Sequence, residues 1–287
     1  MNSMKRSKAW RLDAHQHYWK LDRGDYGWLT PEAGILYRDY LPEDLKEHLQ
    51  AQSIGQTIVV QAAPTVEETE YLLSLCEQEE TLAGVVGWLD LEADDFVEQY
   101  ERLSQNHYFV GIRPMLQDLP DDRWILRPKV IQALRRLARD EFPVDLLVKP
   151  RHLGPVLELM QLVPELRAVV DHLAKPYIKD GIMEPWRTQL KELAQYERVY
   201  CKLSGMVTEA DLTGWQKEDF IPYVHHVLES FGSERVMFGS DWPVCLLAAT
   251  YSEVTHLLES CLPESVTESE RELIFGHNAA QFYRLKV

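Results

Sequence analysis

Two histidines two residues apart, His15 and His17, close the first apolar run of the chain, Leu12-Asp13-Ala14-His15-Gln16-His17. Side chains of a strand alternate faces, so these imidazoles face one point in space. Such a pair offers two nitrogen ligands to a metal ion, or two polar groups to a reacting carbonyl. Ala14 and Gln16 are expected on the opposite face, packed against helices. Two later apolar runs also end on titratable groups. Residues 235–241 end on the carboxylate of Asp241, and residues 167–172 end on Asp171-His172. Alternation puts one of Asp171 and His172 inward. An imidazole would complete a nitrogen-rich site, leaving Asp171 to orient a neighbour or cap a loop. Asp241 could instead cap a following helix, but Trp242-Pro243 is an awkward helix start and favours a role in the site.

Arg113 and Lys149 end two more runs, each directly before a proline that keeps the chain extended. A cation there can hold a carbonyl or carboxylate oxygen, or can simply be solvated at a rim. Lys202 and Ser204 are weaker candidates. His107, His225, His226, His256 and His277 fall in helical or loop contexts and read as structural or surface groups.

The elements that must position these residues alternate along the chain. After the first run, residues 54–61, 82–89, 108–113, 143–148, 167–172, 198–203 and 235–241 complete eight candidate strands. Segments of helical period lie between them. Thr65-Val66-Glu67-Glu68 has the form of a capping box and opens a helix expected through residue 80. Residues 129–140, 186–196 and 220–231 repeat apolar positions at helical spacing. Strands alternating with helices imply parallel βαβ units. Eight of them predict a closed (β/α)8 TIM barrel in one domain, residues 1–287. A doubly wound open sheet is the alternative. The barrel is preferred because no Gly-rich loop follows the first strand, and because barrel strands bring their C-terminal ends to one mouth. An aromatic insertion over about residues 18–40, with Tyr18, Trp19, Tyr26, Trp28, Tyr37 and Tyr40, forms either a wall of the pocket or a plug on the rim.

The formal net charge of −16, from 46 acids against 30 bases, disfavours nucleic acid and anionic membranes as partners. The basic start, with Lys5, Arg6, Lys8 and Arg11, lacks the apolar stretch of a signal peptide. No run approaches the length of a membrane span. Cys76, Cys201, Cys245 and Cys261 form no C-x-x-C pair, so neither a disulfide scaffold nor a cysteine zinc site is expected. A cytoplasmic location follows most simply.

Taken together, several motifs resemble the amidohydrolase superfamily, and within it the amidohydrolase-2 branch. They are Asp13-Ala14-His15-Gln16-His17-Tyr18-Trp19, Gly24-Asp25-Tyr26-Gly27-Trp28-Leu29, Gly111-Ile112-Arg113, Asp171-His172-Leu173-Ala174-Lys175-Pro176, Lys202-Leu203-Ser204-Gly205 and Phe238-Gly239-Ser240-Asp241-Trp242-Pro243. The likeness runs nearly end to end and points to sugar lactonases acting on L-fuconolactone or L-rhamnonolactone. Pyrone-dicarboxylate lactonases share the outline more distantly. Two-metal members of the superfamily carry a bridging lysine or glutamate on strand four and a histidine on strand five, where this chain has Arg113 and Lys149. Arginine cannot ligate a metal, so a two-metal centre is not expected. His15, His17, His172 and Asp241 would hold one divalent ion, with zinc suiting N/O ligands and an open position. Some lactonase relatives work without metal, which would make the ion dispensable.

The resemblance implies hydrolysis of a small-molecule lactone. Asp241 would take the proton of the attacking water. A bound zinc would acidify the water and polarise the carbonyl; without metal, Lys149, Arg113 and a histidine would hold the developing oxyanion, and His172 would assist the leaving hydroxyl. Trp28 would stack on the sugar. The cations that are well placed, Arg113, Lys149 and Arg151, are few for a dicarboxylate and suit a neutral polyhydroxylated lactone better. A zinc-dependent decarboxylase of the same branch and a non-catalytic sugar-acid binding protein are the competing readings. A homodimer is the assembly considered.

Overall fold

Eight parallel strands lie side by side in chain order. They are β1 (Leu12–Gln16), β2 (Gln56–Val60), β3 (Leu82–Gly87), β4 (Phe109–Ile112), β5 (Val144–Leu146), β6 (Ala168–Val170), β7 (Val199–Leu203) and β8 (Val236–Phe238). The computed structural model describes residues 10–286. The basic residues Lys5, Arg6 and Lys8 lie outside that range. Eight helices follow the strands: α1 (Pro42–Gln52), α2 (Val66–Cys76), α3 (Phe96–Leu103), α4 (Pro128–Arg139), α5 (Leu153–Leu162), α6 (Trp186–Leu193), α7 (Lys217–Phe231) and α8 (Tyr251–Cys261). Two short ones, α9 (Glu268–Glu272) and α10 (Asn278–Phe282), end the chain. All eight expected strands form. β8 meets β1 just past their ends, where Asp241 N donates to the His15 carbonyl at 2.8 Å and His17 N to the Trp242 carbonyl at 2.7 Å. The sheet therefore curls into a nearly closed TIM barrel, as a strand–helix alternation of this length predicts.

The two sides of the sheet carry different cores. Val59, Val85, Phe109, Val144, Leu146 and Val170 belong to a large outer cluster shared with the helices. Leu12, Ala14, Ile58, Val60, Val86, Val110, Val169 and Met237 form a second cluster with Phe282 and Tyr283. These come from six strands and meet inside the barrel, with the chain's last helix as the floor. Bulky aliphatic side chains filling the interior in layers are what a small barrel requires.

Local sequence explains most helix bounds. Pro128 opens α4 at its first turn, where a missing N–H costs nothing. Thr65 caps α2 by accepting from Glu68 N at 3.1 Å. The expected capping box is only half formed, because the Glu68 carboxylate turns back to Ala62 N and Ala63 N, both at 2.9 Å. The same helix stops at Cys76, short of residue 80, since Gln78 N and Glu79 N both bond the Leu75 carbonyl in the turn toward β3.

The aromatic insertion is mostly a plug. Tyr18, Trp19 and Tyr40 are buried, Trp19 and Tyr40 exchange backbone hydrogen bonds at 3.0 Å, and Tyr40 stands edge-on to Trp242 at 5.1 Å. All four cysteines are buried and unpaired. Among the described residues no helix is long and apolar enough to cross a membrane.

Candidate active site

Strand β1 delivers His15 and His17 through a bulge. Its register with β2 jumps between Asp13, opposite Thr57, and Gln16, opposite Val59. The Asp13 carboxylate sets the bulge: Oδ1 accepts from His15 N at 3.0 Å and Ser240 N at 2.9 Å, and Oδ2 accepts from Tyr251 Oη at 3.0 Å. Burial pushes Asp13 up to about 6 in spite of these bonds. The bulge also corrects the expected facing. Ala14 packs inside the barrel with Ile58 and Val60, while Gln16 faces outward and donates to Thr57 Oγ1 at 3.0 Å. An extra residue lets Ala14 and His15 both turn inward. Gly239, just past β8, must remain side-chain-free, because a Cβ there would stand 2.6 Å from His15 Cβ.

Strand β6 solves its own alternation problem differently. Both Asp171 and His172 reach the site, although strand geometry allows only one. The backbone leaves β6 into four consecutive left-handed residues, His172, Leu173, Ala174 and Lys175, with φ of 53°, 53°, 61° and 50°. Each costs about 1–2 kcal/mol for an L-residue. The turn is held by Lys175 N donating to the His172 carbonyl at 2.7 Å and by Trp186 Nε1 donating to the Leu173 carbonyl at 2.6 Å. Strain held by the surrounding fold is common where a side chain must be aimed.

These devices gather three imidazoles around one carboxylate oxygen. Asp241 Oδ1 lies 3.3 Å from His17 Nε2, 3.7 Å from His15 Nε2 and 3.7 Å from His172 Nε2. All four residues are buried. The Val60 carbonyl, 2.7 Å from His17 Nδ1, can only accept a proton. In the neutral ring that spends the one proton, and Nε2 faces Asp241 Oδ1 lone pair to lone pair. A metal ion, or a second ring proton, would satisfy both acceptors. Tetrahedral ligands at about 2.0–2.2 Å from zinc stand about 3.3–3.6 Å apart. The donor set therefore fits one divalent ion. Burial pushes His172 down to about 4 and holds His15 well below the usual imidazole range. Burial alone would raise Asp241, but the neighbouring imidazoles hold it well below the usual carboxylate range. Two ligands kept neutral and one kept ionised suit metal binding, which needs deprotonated donors.

Arg113 joins this cluster. Its Nη1 lies 3.4 Å from His15 Nε2 and 3.6 Å from Asp171 Oδ2, and Nη2 donates to the Gln61 carbonyl. Lys149 does not join it. Its ammonium is drawn across the rim to Asp118 Oδ1 at 3.1 Å, because Pro150 starts a short 3-10 turn that carries the side chain outward. The cation that strand order places beneath the histidines is Lys202, from β7, with Nζ 3.2 Å from His15 Nδ1. Ser204 also belongs here, its Oγ 2.9 Å from His172 Nδ1. Two alternating polar residues on an apolar strand were the signal for both. Trp28 stands at the mouth, 42% exposed, with Nε1 donating to the Ala62 carbonyl at 2.9 Å and its ring edge-on to Trp19 at 5.3 Å. His225, His226 and His256 bond backbone carbonyls away from the site.

A family model described as Amidohydrolase matches residues 12–285. The chain belongs to the amidohydrolase family. An L-fucono-1,5-lactonase of Burkholderia ambifaria is 40% identical to this amidohydrolase over 284 residues, with 96% of each chain covered. An L-rhamnono-gamma-lactonase of Scheffersomyces stipitis is 27% identical over 206 residues, covering 63% of this chain and 61% of the other. A crystal structure of a Burkholderia multivorans amidohydrolase with bound zinc superposes with a TM-score of 0.90 at 38% identity, covering 97% of this chain and all of that one.

Proposed function

We propose that this amidohydrolase hydrolyses the ester of a sugar-acid lactone, an aldonolactone such as L-fucono- or L-rhamnonolactone, to the open aldonate. The observation that carries this is a carboxylate ringed by three imidazoles at a barrel mouth, in a chain 40% identical to a named L-fucono-1,5-lactonase. Asp241 accepts a proton as water oxygen bonds to the ring carbonyl carbon. Arg113 donates a hydrogen bond to the carbonyl oxygen as it gains charge, the kind of fixed donor that lowers such a barrier. The carbon–ring oxygen bond then breaks, and Asp241 returns the proton to the departing oxygen. Asp241 is an acidic carboxyl, so it is a good donor in this second step and a weak base in the first. A divalent ion, zinc on this donor set, held by His15, His17, His172 and Asp241, would acidify the water and polarise the carbonyl. His172 is uncharged at neutral pH and acts here as a ligand rather than as the acid. Trp28 offers a flat apolar face for the sugar ring.

The charge balance favours a neutral substrate over a dicarboxylate. Arg113 is matched by Asp171 at 3.6 Å, Lys149 by Asp118 at 3.1 Å and Arg151 by Asp122 at 2.7 Å. Lys149 and Arg151 are held at the rim, which leaves Arg113 alone in the site, too few cations for two substrate carboxylates. The test is acid release over a panel of aldonolactones and pyrone dicarboxylate lactones, with and without a chelator. Release from an aldonolactone that is lost on chelation and restored by zinc is the expected result. Silence on every aldonolactone would sink the proposal. Chelator-dependent loss of carbon dioxide from an aromatic acid would replace it with the decarboxylase.

A further inference from the structure

A second buried group lies beneath the imidazoles and takes no part in the reaction described above. Strands β5, β6 and β7 send Asp145, Asp171 and Lys202 into the barrel interior, all fully buried. Lys202 Nζ donates to Asp145 Oδ2 and lies 3.2 Å from Asp171 Oδ1. From the floor, Tyr283 Oη reaches both Asp145 oxygens at 2.8 Å. Buried ion pairs are poor sources of stability, because desolvation offsets their attraction. Their place in the fold therefore asks for another use.

Proton counting at His15 supplies one. Its Nε2 lies 3.4 Å from Arg113 Nη1. A guanidinium only donates, so Nε2 must present its lone pair. The ring proton then sits on Nδ1, and the carboxylate oxygen beside it, Asp171 Oδ1 at 3.4 Å, is buried with no hydrogen-bond partner at ordinary geometry and needs a proton. Lys202, 3.2 Å from the same nitrogen, has two carboxylates to receive its protons. The opposite arrangement, with Lys202 donating to Nδ1, would set an Nε2 proton against the Arg113 donor and turn it toward the open centre.

We propose that Asp171 is a positioning residue that fixes His15 as the Nδ1–H tautomer and aims Nε2 at Asp241. Lys202 holds Asp171, and Asp145 with Tyr283 holds Lys202. The last turn of the chain thereby supports the first ligand of the site. This rests on reading His15 as a donor to the Asp241 centre. A carboxylate or carbonyl partner on the far nitrogen of a ligating imidazole is the general arrangement for fixing a tautomer, and its loss costs about 10–100-fold in metal affinity.

The test reads the ring nitrogens directly, in metal-free protein labelled with 15N-histidine and assigned against His15→Gln. The expected wild-type pattern is a protonated Nδ1 and a bare Nε2. Asp171→Asn replaces the carboxylate with a weaker, neutral acceptor, so the share of Nδ1–H should fall and zinc affinity should drop about 10–100-fold. Tyr283→Phe, a change that removes one shared hydrogen bond to Asp145 and little volume, should weaken zinc by several-fold in a fully folded protein. It decides the matter if Asp171→Asn does not fold. A wild-type Nε2–H signal, an unchanged tautomer in Asp171→Asn, or unaltered zinc binding in Tyr283→Phe would overturn the proposal. None of these readouts uses a lactone, so absent lactonase activity would leave the tautomer result standing and tell against the proposed reaction alone.

Discussion

His172 enters the barrel neutral because burial costs its charged form more than Asp241 and Asp171 return. The consequence for stability has a definite sign. Unfolded, the ring takes a proton below its ordinary 6.5; folded, it resists until about 4. The unfolded chain binds the extra proton in that window, so this residue's contribution is full above 6.5 and is lost as pH falls toward 4. The size is roughly 3 kcal/mol at the acid end. His172→Gln removes that loss. In metal-free protein, the melting temperature of the variant should gain on wild type as the pH is lowered from 7 to 4.5. A difference flat in pH would contradict the buried neutral ring. At this scale His15, His17, His172 and Asp241 were legible in the sequence, since each is a titratable group closing an apolar strand. Asp171 was legible only as one of two alternatives, because period-two reasoning cannot foresee a left-handed turn of four ordinary residues. Lys149 misled for a related reason. A cation at a strand end looks equivalent on every strand until the following turn decides which way it points.

Elements aim these side chains by close approach as much as by hydrogen bonds. Gly205, just past β7, has φ of 58°, and a Cβ there would stand 2.5 Å from His172 Nδ1. Gly205→Ala must therefore push the His172 ring or distort the turn, with an added left-handed penalty of about 1 kcal/mol. We expect zinc affinity and kcat both to drop by tenfold or more, with a loss of only a few degrees in the melting temperature, checked by competition with a chromophoric chelator and by calorimetry. Unchanged affinity would show that His172 has room to spare. All eight strands were readable because β-branched runs alternate with helical periods. The bulge in β1 was not, since it is imposed by Asp13 bonding both its own strand and β8. Nor was the redirected Glu68, because a carboxylate in the first turn can reach either the cap or, as here, the backbone of Ala62 and Ala63 before it.

For the whole molecule, Asp13 is the clasp of the barrel. It joins β1, the end of β8 and α8 through His15 N, Ser240 N and Tyr251 Oη. Asp13→Ala leaves three buried donors unsatisfied, each costing about 1–3 kcal/mol. A loss of about 3 kcal/mol or more is expected in denaturant unfolding, together with loss of the site, because the same seam carries His15 and Asp241. A loss under about 1 kcal/mol would mean that the barrel closes without it. The barrel thus couples its closure to its chemistry at one strand pair, and to its floor through Tyr283. The most direct test of that chemistry is the initial rate of acid release from L-fucono-1,5-lactone above the spontaneous rate, for wild type and Asp241→Asn side by side. Wild type should turn over rapidly, and the variant should fall by about 100-fold or more with its fold intact. Near-normal turnover in Asp241→Asn, or a wild-type rate no greater than the spontaneous one, would contradict the assignment of Asp241 as the group that moves the proton.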